Sequence, residues 1–182
     1  MKEAAAVPEA FITEHDAIRT VGDLTIGKTL LVRGANGGVG QAAVQFGVAA
    51  GARVLGAVRS EAAAEVVRSL DAEAIVGDDL VGAVKAVTGG RGVDVALGVV
   101  GGQGLADTVR CLARRGRAVV LSLGAGPKVE ALRGPGPQPV RAPEAADQSS
   151  HRRPATSQPA AMMNRYRAAT AIIGCRTGRR PE

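Results

Sequence analysis

Over residues 1–126, short apolar runs alternate with stretches in which apolar residues recur every three or four positions. The runs are Thr29–Arg33 (TLLVR), Ala52–Val58 (ARVLGAV), Ala72–Val76 (AEAIV), Val93–Val100 (VDVALGVV) and Arg117–Leu123 (RAVVLSL). Helical periodicity covers Thr13–Val21, Val39–Ala50, Glu61–Leu70, Asp79–Val87 and Gln103–Ala113. In the second of these helices Val39, Ala42, Ala43, Phe46 and Ala50 share one face, and Gly51 is placed to stop it. Ser60 is an N-cap candidate for the third, whose first turn carries Glu61, a charge that suits the helix dipole. Strands that read as continuous apolar runs, separated by helices, predict parallel strands covered on both faces. The pattern therefore predicts an α/β fold with a doubly wound parallel sheet.

The pattern stops near residue 127. Eight of the nine prolines lie at or after Pro127, and residues 127–182 read as an irregular Pro/Arg-rich tail. Within it, Met162, Tyr166, Ala169 and Ile173 are spaced for one face of a short basic helix. The net charge of +6 also belongs to the tail: residues 1–127 hold 13 Lys/Arg and 13 Asp/Glu, whereas residues 128–182 hold 10 and 4. A neutral body with only Phe11, Phe46 and Tyr166 as aromatics lacks the stacking surface of a nucleic-acid binder. No apolar run approaches the length of a membrane span, and the N-terminus has no signal-peptide core. Cys111 and Cys175 are too far apart for a zinc knuckle and offer no disulfide framework, so no metal site is expected and the setting is read as reduced and cytoplasmic.

The chemistry is concentrated between the first two strands. Gly34, Gly37, Gly38 and Gly40 follow a strand and open a helix, with Val39 between the last two. A tight strand-to-helix turn needs a residue free to adopt positive φ, and a pyrophosphate on a helix N-terminus needs N–H groups unobstructed by a Cβ. The last glycine allows close packing of helix on strand. This context makes the sheet Rossmann-like and the turn a dinucleotide site; the competing reading is a tight turn with no ligand. At the end of the second strand stand Arg59 and Ser60, where NAD-preferring sites carry a carboxylate for the ribose hydroxyls. A guanidinium and a hydroxyl there suit a 2′-phosphate, so NADP(H) is favoured over NAD(H). A solvated strand-end charge is the alternative for Arg59.

Two stretches, "LLVRGANGGVGQAAVQFGVAAGARVLGAVRS" and "VTGGRGVDVALGVVGG", resemble the cofactor domain of medium-chain dehydrogenases/reductases, in particular the zinc-free quinone oxidoreductase branch. The likeness runs from the "AAAVPEAFITEHDAI" segment to "GRAVVLSLGAG". It implies that Gly37–Gly40 hold the pyrophosphate, and that Val99, Val100 and Gly101 after the fourth strand, with Leu121, Ser122 and Leu123 after the fifth, line a nicotinamide pocket. It places Thr13 near an interdomain cleft, and implies hydride transfer from NADPH to a quinone, an enone or another small carbonyl compound. Several positions depart from the family pattern: Gly98 replaces a common Asp, Ser122 a frequent Gly, His15 the usual Tyr, and Ala63 a Lys that could help bind a 2′-phosphate. His15 reads as a non-catalytic helix residue.

The resemblance also sets expectations about what surrounds the domain. The family's substrate-binding domain precedes the segment at which this chain starts, and the text diverges after Leu132, where relatives add a sixth strand that commonly pairs across a dimer. A truncated gene with a frameshift near residues 127–135 is the expectation, with the fifth strand or its neighbour left as an open edge. Two functions follow. One is an NADP(H)-dependent oxidoreductase of the quinone reductase type, here a fragment for which turnover alone is not expected. The other is a non-catalytic dinucleotide-binding module.

Overall fold

A computed structural model of the chain describes residues 11, 12, 14–98, 103–121 and 171–174. The first described element is a π-helical segment, α1 (His15–Val21). Strands and helices then alternate: β1 (Thr29–Arg33), α2 (Gly38–Ala49), β2 (Arg53–Val58), α3 (Glu61–Arg68), β3 (Glu73–Val76), α4 (Leu80–Val87), β4 (Val93–Gly98), α5 (Gln103–Arg110) and β5 (Leu112–Val120). The sheet order is β3-β2-β1-β4-β5-β6, where β6 is Ala171–Gly174. The first five strands are parallel, and the order reverses between β1 and β4. This is the doubly wound, Rossmann-like α/β sheet that the periodicity predicts.

Alternation along β1 divides the core in two. Leu30 and Val32 pack with Ala43 and Val44 of α2 and Val67 of α3 on one face. Leu31 packs with Leu55, Leu80 and Val84 on the other. Both faces of the strand are covered, which is why it reads as an unbroken apolar run. The helix caps follow the local sequence: Ser60 Oγ accepts from the Ala63 N–H at 3.3 Å, and Asp79 Oδ1 from the Gly82 N–H at 2.9 Å. His15 meets Phe46 edge to face, with ring centroids 5.4 Å apart, and so belongs to the packing of α1 on α2.

Two expectations need correction. The fifth helix ends at Arg110 rather than Ala113, and β5 begins at Leu112. Val93 draws this segment into the sheet: its N–H donates to the Cys111 carbonyl at 2.9 Å, and Leu112 is its register partner. The register then shifts before Val95 meets Arg117, and Arg115 takes φ 71° within the shifted stretch. The second correction concerns the tail. Ile173 is not on a helix face but in β6, antiparallel to β5 and paired with Ala118. An uncovered β5 would present a row of unpaired backbone groups, and the β-branched pair in AIIG suits a strand that satisfies them. β5 is therefore covered, and the edge passes to its neighbour β6, the last strand in the sheet order; Met162, Tyr166 and Ala169 lie outside the described residues.

One core group works against the fold. Glu14 is fully buried, and neither carboxylate oxygen has a hydrogen-bond partner among the described residues. Burial pushes its pKa up to about 8, because the ionised form loses its hydration without gaining a partner. The native state thus holds a proton that the unfolded chain releases near pH 4.5. Stability associated with this group is complete below that value and falls as pH rises towards about 8, where the loss levels off. At neutral pH the cost is on the order of 3 kcal/mol. Glu14→Gln should flatten the dependence of unfolding free energy on pH between 5 and 8, read from denaturant titrations at each pH. An unchanged slope would show that Glu14 is paired in solution.

Candidate functional site

The carboxyl ends of β1, β2 and β3 meet above an open pocket of about 290 Å3. Its wall starts with the turn that joins β1 to α2. Gly34 adopts φ +74°, a conformation that L side chains rarely take, and its N–H donates to the Ala57 carbonyl at 3.0 Å. That bond ties the turn to the end of β2. Gly40 is buried one turn into α2, and a Cβ there would run into the Gly34 carbonyl and the Ala35 backbone. The helix can therefore start directly over the strand end only if residue 40 has no side chain.

The N-terminus of α2 differs from the other capped helices. Its N-cap is Gly37, which makes no side-chain capping bond, and its first turn carries no acid. The leading N–H groups of a helix have no intrahelical acceptor, so those of Gly38, Val39 and Gly40 are offered outward with the positive end of the helix dipole. A Cβ added to Gly38 would meet no protein atom within 4 Å. The space over this terminus is open, and a glycine there keeps it so. The arrangement is a cradle for an anion, with backbone donors and no competing side chain.

Charge around the pocket is mostly positive. Arg33 at the end of β1 and Arg59 just after β2 both line it, together with Asn36 and Asp78. Neither arginine makes an ion pair among the described residues. Ser60 Oγ accepts the Ala63 N–H through one lone pair, and among the described residues its O–H donates to no acceptor. The nearest acid in sequence, Glu61, is turned along α3 to Arg68 at 2.6 Å. No carboxylate from the β2–α3 junction therefore occupies the place beside Arg59.

The structure brings together Gly34, Gly37, Gly38, Val39, Gly40, Arg59 and Ser60 at the ends of β1 and β2. Leu121 stands at the end of β5, where its N–H donates to the Gly98 carbonyl at 3.1 Å. Val99, Val100, Gly101, Ser122, Leu123 and Thr13 lie outside the described residues. Arg33, Asn36 and Asp78 are pocket residues that the sequence reading did not single out. Asp78 had a visible signal, since it ends the loop between a short strand and a capped helix. Arg33 had a weaker one, being the residue before Gly34.

Residues 38–137 match the sequence model of a family described as zinc-binding dehydrogenase. Among curated proteins, the chain is 34% identical over 127 residues to the reducing polyketide synthase PKS1 of Cochliobolus heterostrophus, an alignment that covers 66% of this chain and 5% of the synthase. Among solved structures, it is similar to a quinone oxidoreductase of Pseudomonas syringae, with 28% identity and TM-score 0.65, over 71% of this chain and 41% of that one. It is also similar to the nucleotide-binding subdomain of the enoylreductase domain of PpsC from Mycobacterium tuberculosis, with 35% identity and TM-score 0.56, over 60% of this chain and 63% of that one. The chain thus spans a small part of the curated relatives it matches and less than two thirds of these solved chains.

The glycine geometry separates stability from openness. Gly40→Ala should lower the melting temperature by several degrees, because backbone atoms must move. Gly38→Ala should leave it unchanged or raise it slightly, since alanine favours helix and meets no clash. Equal melting curves for Gly40→Ala and the parent would contradict the packing of α2 on the turn.

Proposed function

The chain belongs to the zinc-binding dehydrogenase family, and from that premise we propose that it is the NADP(H)-holding part of a reductase acting on a quinone or an enone. Membership of the medium-chain dehydrogenase/reductase superfamily makes this a nicotinamide dinucleotide-binding domain. The observation that carries the reading is the uncapped α2 terminus over the Gly34 turn, with Arg59 beside it. The two faces of that junction suit the two phosphate positions of the cofactor.

The residues present fit the dinucleotide. Gly38, Val39 and Gly40 supply backbone donors to the pyrophosphate, and their lack of bulk allows its close approach. Arg59, exposed at the pocket rim, supplies a guanidinium for the 2′-phosphate, while the free Ser60 hydroxyl donates alongside it. Pairing of Glu61 with Arg68 removes the carboxylate that would repel that phosphate. When bound, the reduced nicotinamide supplies the hydride; the protein's part is to position it. The similar quinone oxidoreductase and enoylreductase support an electrophilic, conjugated acceptor as the substrate class.

The described residues offer no zinc site to this reading. Among the described residues no three His, Cys, Asp or Glu side chains come together. Cys111 is fully buried, and burial pushes its thiol up to about 11. No step is therefore routed through a metal. A second reading, a dinucleotide-binding module without turnover, is favoured by one observation: no acid–base pair faces the pocket among the described residues.

Calorimetric titration of the full chain should give tighter binding of NADPH than of NADH. Arg59→Asp should weaken NADPH at least tenfold, the scale of one lost charge-assisted contact, and leave NADH unchanged or tighter. Gly38→Ala should weaken both, because its methyl fills the space over the helix terminus. NADPH oxidation on addition of a quinone then separates the two readings, since binding without turnover supports the module. No measurable binding of either dinucleotide would refute both.

A further inference from the structure

The pocket holds a cation that the pyrophosphate cradle does not explain. Arg33 closes β1 on the same face as Leu31, the face that packs on α4. Its Nη1 donates to the carbonyl of Gly104 in α5, 71 residues away, across the boundary where the sheet order reverses. A Cβ on Gly104 would lie 2.6 Å from both Cζ and Nη1 and 2.8 Å from Nη2. Near-equal distances to the central carbon and to two nitrogens place that position over the flat face of the guanidinium, not at its edge. One face of the plane therefore rests on α5, and only a glycine allows it.

Arg33 also borders the pocket, together with Ala57, Leu80 and Asp78. No carboxylate pairs with it among the described residues, although it is only partly exposed. A flat cation, small apolar walls and one acceptor make a poor phosphate site but a good purine site. Guanidinium planes stack on bases, apolar walls cover the ring edges, and a carboxylate accepts from an exocyclic amino group. The anion donors of this junction lie elsewhere, on the α2 terminus and Arg59.

Resting on the dinucleotide reading above, we propose that Arg33 is the adenine-stacking residue of this pocket, held flat by Gly104, with Asp78 accepting from the adenine amino group. Arg33 thereby acts on both cofactors alike and is a positioning residue, not a determinant of the 2′-phosphate.

The test is calorimetric titration of the full chain with NADPH, NADH and the hypoxanthine analogue of NADH, which lacks the exocyclic amino group. Arg33→Lys keeps the charge and loses the plane, and should weaken NADPH and NADH by the same factor, about tenfold for one lost base stack. Gly104→Ala disturbs the same plane from the α5 side and should give the same equal loss, which keeps the test sound if one variant melts early. The hypoxanthine analogue should bind the parent chain at least several-fold more weakly than NADH. Parent-like affinity in Arg33→Lys would show that charge alone matters, and a loss confined to NADPH would assign Arg33 to the 2′-phosphate; either overturns the stacking proposal. Equal binding of NADH and its hypoxanthine analogue would overturn the role of Asp78. A parent chain that binds no dinucleotide refutes the underlying reading instead, and is distinguished by failing before any variant is compared.

Discussion

The site depends on one steric constraint: the start of α2 lies against the backbone of the turn that leaves β1. Gly40 has no room for a Cβ beside the Gly34 carbonyl, and Gly34 itself sits at positive φ. Together they let a helix begin directly above a buried parallel strand. β1 is fixed from both sides, by β2 and by β4, and its two faces belong to two different cores. The open helix terminus is therefore held by a strand that is paired on both edges and packed on both faces. Rigidity at this point lets backbone donors serve as a preorganised anion site without any charged side chain.

Charge is distributed by the same architecture. Side chains at the ends of β1 and β2 fall on either side of the turn, which puts Arg33 on the α4/α5 face and Arg59 at the rim. Glu61, which could have neutralised Arg59, is committed to Arg68 within its own helix. Glu14 carries the opposite lesson, since a buried carboxylate with no partner among the described residues weakens the fold at neutral pH without contributing to the described site.

Much of this was legible in the sequence because it is local. TLLVR, the glycine turn, the stop at Gly51 and the Ser60 cap are each set by a few adjacent residues, and β1 has the bounds that the pattern predicts. The features that escaped are non-local. The Arg33–Gly104 contact exists only because β4 lies next to β1, a neighbour relation with no signature in either segment. The end of α5 was misplaced because Leu112 and Ala113 continue an apolar helical period, while Val93 supplies a competing strand partner. β6 pairs with β5 across roughly fifty intervening residues, and a four-residue apolar stretch in a proline-rich tail gives little warning of it.

The central claim is that the α2 terminus receives the cofactor's pyrophosphate. It is tested most directly by following backbone amide resonances of the 15N-labelled chain as NADPH is added. Gly38, Val39 and Gly40 should show the largest saturable shifts, with Gly38 and Val39 amides gaining protection from hydrogen exchange. NADPH binding that left these three amides unmoved would contradict the account.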